Sequence, residues 1–454
     1  MNLKKIISMA AVASLSMTML ASCGEDKKDD APKKDVSVSA EKVVERIDGN
    51  GATLTVLTNR TDRLADGGDG TMEERTKAFE EDFNCKVEYV GYTNYADDVS
   101  KRLSTDDYGD VLLIPDSVEV KDLGNFFAPL GTYDEMKETY RWADKKMFDK
   151  TVYGISIGGT ATGVLYNKKV WADAGVTELP KTPEEFMAAL EKIKEKGDAI
   201  PYYTQFKDAS WTITQWPSLI LSAAADPNYN TALLQNKGDL FAEDGGYYKT
   251  FKLLYDVFSS SDLIEEDPTT TEWESSKQWM ADGKIGTMVM GSWAISQFQE
   301  KAANPDDIGY MPAPFTAADG KQYAQTSSDY CMGVSKHSAN VELAQKYVEW
   351  FALESGFSFD EGMIPTSTKA DLPDNLTEFA ECVLFEETVA PDELQGKFNE
   401  IDADSEVGTW SGDAANFKIK MAEAAFAGKG EEGFKEIIDD CNKRWAASRD
   451  KILG

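Results

Sequence analysis

Histidine occurs once in this chain of 454 residues, and cysteine only five times. One histidine rules out any site built from several imidazoles, such as a His-rich zinc centre. The cysteines are widely scattered and form no C-x-x-C pair, which argues against a redox motif or a zinc knuckle. Cationic side chains are also scarce: 47 Lys plus Arg face 80 Asp plus Glu, a formal charge of −33. A nucleic-acid partner is excluded on that ground, because phosphate binding needs clustered Lys and Arg. Anionic ligands are disfavoured too, unless a local basic pocket overrides the global field. No phosphate-cradling G-x-x-x-x-G-K-[ST] loop is present, so the chain is not a P-loop ATPase. No run past residue 20 approaches the roughly 18 apolar residues that a membrane-spanning helix requires.

The chain does carry a fold's worth of apolar material: 42% hydrophobic residues, including 10 Trp, 18 Tyr and 21 Phe. That is enough for one large domain or two ordinary ones. The working side chains are then carboxylates, hydroxyls, amides and aromatics.

The first residues read as a processing signal. Lys4 and Lys5 precede an uncharged stretch of 15 residues, Ile6 to Leu20, too short to span a bilayer. Leu20-Ala21-Ser22-Cys23 then resembles a bacterial lipobox. Cleavage after residue 22 would leave Cys23 with a thioether-linked diacylglycerol, and each buried CH₂ contributes about 0.8 kcal/mol of anchoring. Residues 23–50 are charged and poor in aromatics, which predicts a flexible stalk. Of the other cysteines, Cys85, Cys331, Cys382 and Cys441 are expected to be mostly buried thiols, although two disulfides in any of three pairings are also open.

From residue 51 the pattern is α/β. Thr53 to Thr58 and Gly109 to Asp116 read as buried strands, and Lys86 to Val90 alternates as a third. Thr71 and Glu74 predict a capping box for a helix that buries Met72, Phe79 and Phe83. Thr182, Pro183 and Glu185 predict another start, with Phe186, Leu190 and Ile193 on one face and Gly197 as the stop. Two more helical stripes run through Val341, Ala344, Val348 and Phe351, and through Phe434, Ile437, Ile438, Cys441 and Trp445. Trp350 and Trp445 lie on these stripes and read as core. In α/β sheets the loops beyond strand carboxyl ends face ligands. Asn59, Arg60 and Asp62 after the first strand, and Asp116 at the end of the run from Gly109, therefore belong at a site edge.

Several segments resemble the extracellular solute-binding proteins of ABC importers, in particular the carbohydrate-binding group related to maltose-binding protein. The block from Tyr153 to Trp171, with Gly158-Gly159-Thr160 and Tyr166-Asn167-Lys168, carries the likeness most strongly. Ala174-Gly175 and Pro180-Lys181-Thr182 follow, where the family often has Trp at the position of Pro183. Met290-Gly291-Ser292-Trp293, Ile308 to Pro314 and Gly333-Val334-Ser335-Lys336 extend it over most of residues 50–454.

The resemblance implies a two-lobed periplasmic-binding-protein fold of type II. Its lobes would be discontinuous, 51–157 with 333–362 and 158–332 with 363–454, hinged near Gly158, Gly159, Gly333 and Gly362. Solute would bind in the cleft between them. A sugar offers apolar C–H faces for aromatic rings and a rim of hydroxyls for Asp, Asn, Arg and Thr. The expected platforms are Trp211, Trp216, Trp293 and Trp410, with Trp273 a further candidate. The expected polar contacts are Asn59, Arg60, Asp62, Asp116, Thr160, Asp329 and Asp413. Glu361 is expected to flank the third hinge.

The function implied is a monomeric receptor, anchored through Cys23 to the outer face of the bacterial cytoplasmic membrane. It would capture a neutral carbohydrate, read as an oligosaccharide, and pass it to the permease. That surface is the cell surface or, where a second membrane exists, the periplasm. The role calls for no cofactor, no metal and no covalent chemistry. Rival readings are the same fold holding a polyamine or peptide, a secreted glycosidase with two carboxylates about 5–9.5 Å apart, and a purely structural lipoprotein.

Overall fold

The computed structural model describes residues 36–39, 41–208, 213–391, 393–409 and 416–454. Two separate sheets organise them. In the first, β1 (Thr53–Thr58) lies between β2 (Lys86–Gly91) and β3 (Val111–Leu113), parallel to both. Parallel neighbours need a crossover, and the helix Thr71–Phe83 supplies it between β1 and β2. The sheet continues from β3 through β12 (Cys331–Val334) to β7 (Ile155–Ser156), both added antiparallel. A small three-stranded sheet of β4 (Gly131–Thr132), β5 (Met147–Phe148) and β6 (Thr151–Val152) stands beside it.

The second sheet is built on β8 (Gly159–Asn167), which pairs with β9 (Thr287–Gly291), β10 (Ile308–Pro312) and β11 (Tyr323–Ser328). On its far side β11 pairs with β13 (Val383–Phe385). Successive side chains of a strand point to opposite faces, and the cores follow that rule. Val164 and Tyr166 join one cluster with Trp171, Phe186, Phe258 and Trp445, while Ala161 and Leu165 join another with Met288, Phe298 and Tyr310. The first sheet has its own cluster, including Leu54, Val56, Phe79, Phe83, Tyr347 and Trp350. Each sheet with its clusters forms one lobe.

The chain passes between lobes at three places that lie side by side. Ser156 pairs with Cys331, Gly159 with Ser328, and Gly159 forms a bridge with Ile364. Asp329 N–H donates to Gly158 O at 2.9 Å, and Gly159 exchanges two hydrogen bonds with Ile364. Gly362 adopts a left-handed φ of 66° at the third passage. Gly333, expected as a hinge, instead sits inside the first sheet opposite Leu112. A Cβ there would lie 2.8 Å from Ile114, so it is a packing glycine. The second passage accordingly falls at Asp329–Tyr330, ahead of the expected 332/333 boundary.

Two further expectations need correcting. Thr71 does not cap its helix: Gly70 turns the chain through φ 73°, and Asp69 accepts the Thr71 N–H at 3.0 Å from outside. Nor are residues 36–50 a free stalk. The Glu354 carboxylate, itself fully buried, accepts the N–H groups of Val43 and Val44 at 2.7 Å and pairs with Arg46 at 2.6 Å. Ser37 N–H donates to Asp360 at 2.7 Å, and Arg46 also reaches Asp82 at 2.8 Å. The segment is strapped to the first lobe by charge, which a reading based on apolar content overlooks.

The helix Pro183–Lys196 forms with Thr182 Oγ1 accepting the Glu185 N–H, and Gly197 closes it in the left-handed region. The Glu185 carboxylate reaches one residue further back than a capping box, to Lys181 N–H at 2.7 Å. Cys85, Cys331, Cys382 and Cys441 are free thiols. Burial pushes the first three up to about 11 and Cys441 to about 12. Among the described residues no helix is long and apolar enough to cross a membrane.

Candidate functional site

The loop after β1 turns two arginines toward one glutamate. Arg60 donates to Asp62 at 2.9 Å and to Glu361 at 2.7 Å, and its guanidinium lies 5.5 Å from the centre of the Phe357 ring. Arg63 donates to Glu361 and to Asp69, each at 2.8 Å. Burial works against the ionised Asp62 carboxyl, yet Arg60 and Arg63 hold its pKa below the usual value. Glu361, expected only to flank the hinge, is thus the hub that fixes both guanidinium planes. Bidentate Arg–carboxylate geometry makes such a hub directional as well as strong.

Asp329 joins the same neighbourhood from the second passage. Burial raises its carboxyl pKa; the Tyr330 N–H and the Arg60 charge work in the opposite direction, while the Asp116 charge adds to the rise. Arg60, Asp116 and Asp329, three sequence-predicted residues, therefore share one electrostatic environment. Asp116 stands in the loop just beyond β3, mostly exposed, 3.1 Å from Lys146. Tyr330 adds an aromatic wall, its ring 5.9 Å from Tyr95, which in turn lies 6.3 Å from Tyr92. The sequence offers no periodic signal for this row, because its members come from separate elements.

The second lobe contributes Trp293. The residue is 37% exposed, which leaves its side chain partly open to solvent. It leans at 50° against Trp273, 5.8 Å away, which is backed by Phe298 and by Lys277 at 4.8 Å. The Gly-x-Trp spacing has a local cause. A Cβ on Gly291 would come within 2.5 Å of Trp293 Nε1, so the ring can fold over that strand end only if the residue is glycine. Ser292 Oγ accepts the Ala161 N–H at 2.9 Å and locks the turn onto β8. Thr160, on the same strand, shares a hydrogen bond with Ser327 at 3.1 Å.

Trp216 does not belong with these residues. It is fully buried in the second lobe against Tyr202 and Phe258, with ring centres 6.0 and 6.2 Å away. Its place is in the core, not on a cleft wall. Asn59 is half-buried, and its side-chain oxygen has no hydrogen-bond partner among the described residues. Trp211, Trp410, Asp413 and Cys23 lie outside the described residues.

An ion pair crosses between the lobes here. Arg63 NH2 lies 3.6 Å from Oε1 of Glu300, which follows the helix Ile295–Gln299 that begins just beyond Trp293. The arrangement pairs aromatic faces with carboxylates, guanidinium groups and hydroxyls whose donors and acceptors are already oriented. Such a surface suits a polar, uncharged ligand with apolar faces.

The sequence profile of bacterial extracellular solute-binding proteins matches residues 64–356. The diacetylchitobiose binding protein DasA of Streptomyces coelicolor is 25% identical over 400 residues, which cover 82% of this chain and 84% of that protein. Among solved structures, BlMnBP1, a binding protein of an ABC transporter from Bifidobacterium animalis subsp. lactis in complex with mannobiose, is 35% identical. It matches with a TM-score of 0.73 over 88% of this chain and 95% of that one. The manno-oligosaccharide specific solute binding protein BlMnBP2 from the same organism, in complex with mannotriose, gives the same values. Apo RafE from Streptococcus pneumoniae, at 18% identity and a TM-score of 0.66, shares the fold.

Proposed function

From its membership of the bacterial extracellular solute-binding proteins, to which the chain belongs, we propose that it is the receptor of an ABC importer for a short neutral oligosaccharide. Manno-oligosaccharides are the foremost class. The observation that carries this reading is the 35% identity, over 88% of the chain, to proteins solved with mannobiose and mannotriose. The partial exposure of Trp293 supports it as a stacking platform, with Arg60, Asp62, Asp116, Thr160 and Asp329 as hydroxyl partners.

In this reading the receptor is tethered through Cys23 and performs no covalent chemistry. The lobes exchange between open and closed arrangements, and a ligand that touches both favours the closed one by its differential affinity. The permease would then take the closed form. Calorimetric titration of residues 36–454 with mannobiose, mannotriose, raffinose, diacetylchitobiose and spermidine tests the proposal. Saturable binding of a mannoside is expected, with thermal stabilisation of about 2.7 kcal/mol at a hundredfold excess over Kd. Binding of spermidine alone would replace the sugar with a cation, and silence across all five would sink the ligand class.

A further inference from the structure

We infer that Trp142 is the peg on which the two lobes turn, a positioning residue that sets their resting angle without touching ligand. Its neighbours in the chain belong to the first lobe, and Ala143 is buried in that lobe's core. The Trp142 ring, however, is buried in the core of the second lobe. It rests on Gly159, the first residue of β8 and part of the first passage between lobes. A Cβ on Gly159 would sit 2.1 Å from Trp142 Cη2, so the glycine is the socket for the ring.

Three observations place this contact on the moving part of the fold. First, Trp142 has a φ of 58°, a region that bulky side chains rarely occupy. Second, its indole N–H is buried with no partner, among the described residues, to accept it. Strained backbone and an orphaned donor at one residue point to a conformation held by its surroundings rather than by its own preference. Third, the residues around it grip the third passage. Arg141 donates to the carbonyls of Pro365 at 2.7 Å, Ser367, and Thr368 at 3.3 Å, while its own N–H donates to Thr366 O at 2.8 Å. Thr366 Oγ1 in turn donates to Ser156 O at 2.8 Å, and Ser328 Oγ donates to Ser156 Oγ at 2.9 Å, so all three chain passages are tied to this belt. Glu386, just beyond β13 of the second lobe, faces the backbone N–H of Trp142 and the side chains of Arg141, Asp144 and Lys145, and burial pushes its carboxyl up to about 7.

A ring that enters the other lobe at the hinge fixes how far that lobe can rotate. Filling the socket must displace the ring, and shrinking the ring must give back the room. The inference rests on the closing receptor proposed above only for its effect on affinity; the angle itself is measured without ligand. The test places spin labels at K101C and K169C, exposed positions on the first and second lobes, and reads the interlobe distance by pulsed dipolar spectroscopy. G159A is expected to shift the ligand-free distribution to longer distances and to weaken mannotriose binding at least about fivefold. The new Cβ also lies 2.8 Å from Ser327 O, so the compensating variant is decisive. W142F/G159A should return both distance and affinity toward the parent. W142F alone, which covers the case of G159A failing to fold, should broaden the distribution. Unchanged distances in both single variants, or a double variant that behaves like G159A, would overturn the peg. Failure of mannotriose to bind the parent protein would count against manno-oligosaccharides as the ligand while the distance measurement still decides the hinge.

Discussion

Arg63 and Glu300 form an ion pair across the two lobes, 3.6 Å from guanidinium to carboxylate, while Arg63 keeps Asp69 and Glu361 as partners within its own lobe. Opening would separate Arg63 from Glu300 without leaving the arginine bare. Glu300 is about half exposed, and exposed pairs are worth about 0.2–1 kcal/mol. The pair therefore biases closure gently. Affinity for an uncharged sugar should fall about two- to fivefold between low salt and about 0.5 M salt. Glu300→Gln should start at the weaker value and stay flat. Titrations at two ionic strengths read this directly, and an equal salt slope in both proteins would discard the latch.

Trp293 and Trp216 should separate cleanly. Trp293→Ala is expected to weaken sugar binding by about 2–4 kcal/mol and leave the melting temperature nearly unchanged, since the ring is partly open to solvent. Trp216→Ala, which empties a packed site between Tyr202 and Phe258, should cost about 3–5 kcal/mol of stability. Parallel melting and binding curves check both, and a destabilised Trp293→Ala with normal affinity would remove it from the site.

The strap makes its own prediction. Glu354→Ala leaves two backbone N–H groups without their acceptor and takes from Arg46 the more buried of its two carboxylate partners, and should destabilise the protein by about 3 kcal/mol. Urea unfolding measures it. A variant as stable as its parent would mean that residues 36–47 contribute little to the fold.

Glu386 gives a pH test with a definite sign. Its carboxyl ordinarily titrates at 4.5 and is pushed up to about 7 by burial. The folded protein thus holds this proton more tightly than the unfolded chain. No penalty exists below about pH 4.5; stability is lost as pH rises toward 7, and the full penalty persists above it. Glu386→Gln should match the parent near pH 4.5 and exceed it by about 2 kcal/mol at pH 8. Equal stability at pH 8 would refute the assignment.

What could be read in the sequence was whatever one element specifies by itself. The strands at Thr53, Lys86 and Val111 and the helices at Pro183, Val341 and Gly430 announce themselves by period and caps. Trp350 and Trp445 lie on helical stripes and are core. What escaped depends on partners distant in the chain. Trp216 is core because Tyr202 and Phe258 enclose it. Gly333 packs against Ile114 instead of flexing. Glu361 is a hub only because the loop after β1 brings two arginines to it. Residues 36–50 look like a stalk until the buried carboxylate of Glu354 is placed beneath them. Trp142 carries no local sign of its positive φ.

The four free thiols have a practical corollary. With Cys85, Cys331 and Cys441 enclosed by protein and held as neutral S–H, and Cys382 only partly open, the described part of the chain offers little thiolate to oxidants or alkylating reagents. A cysteine introduced on an exposed helix would react ahead of all four. The described part of the protein is in that sense already prepared as a host for single-site labelling, with no need to strip out these four cysteines first.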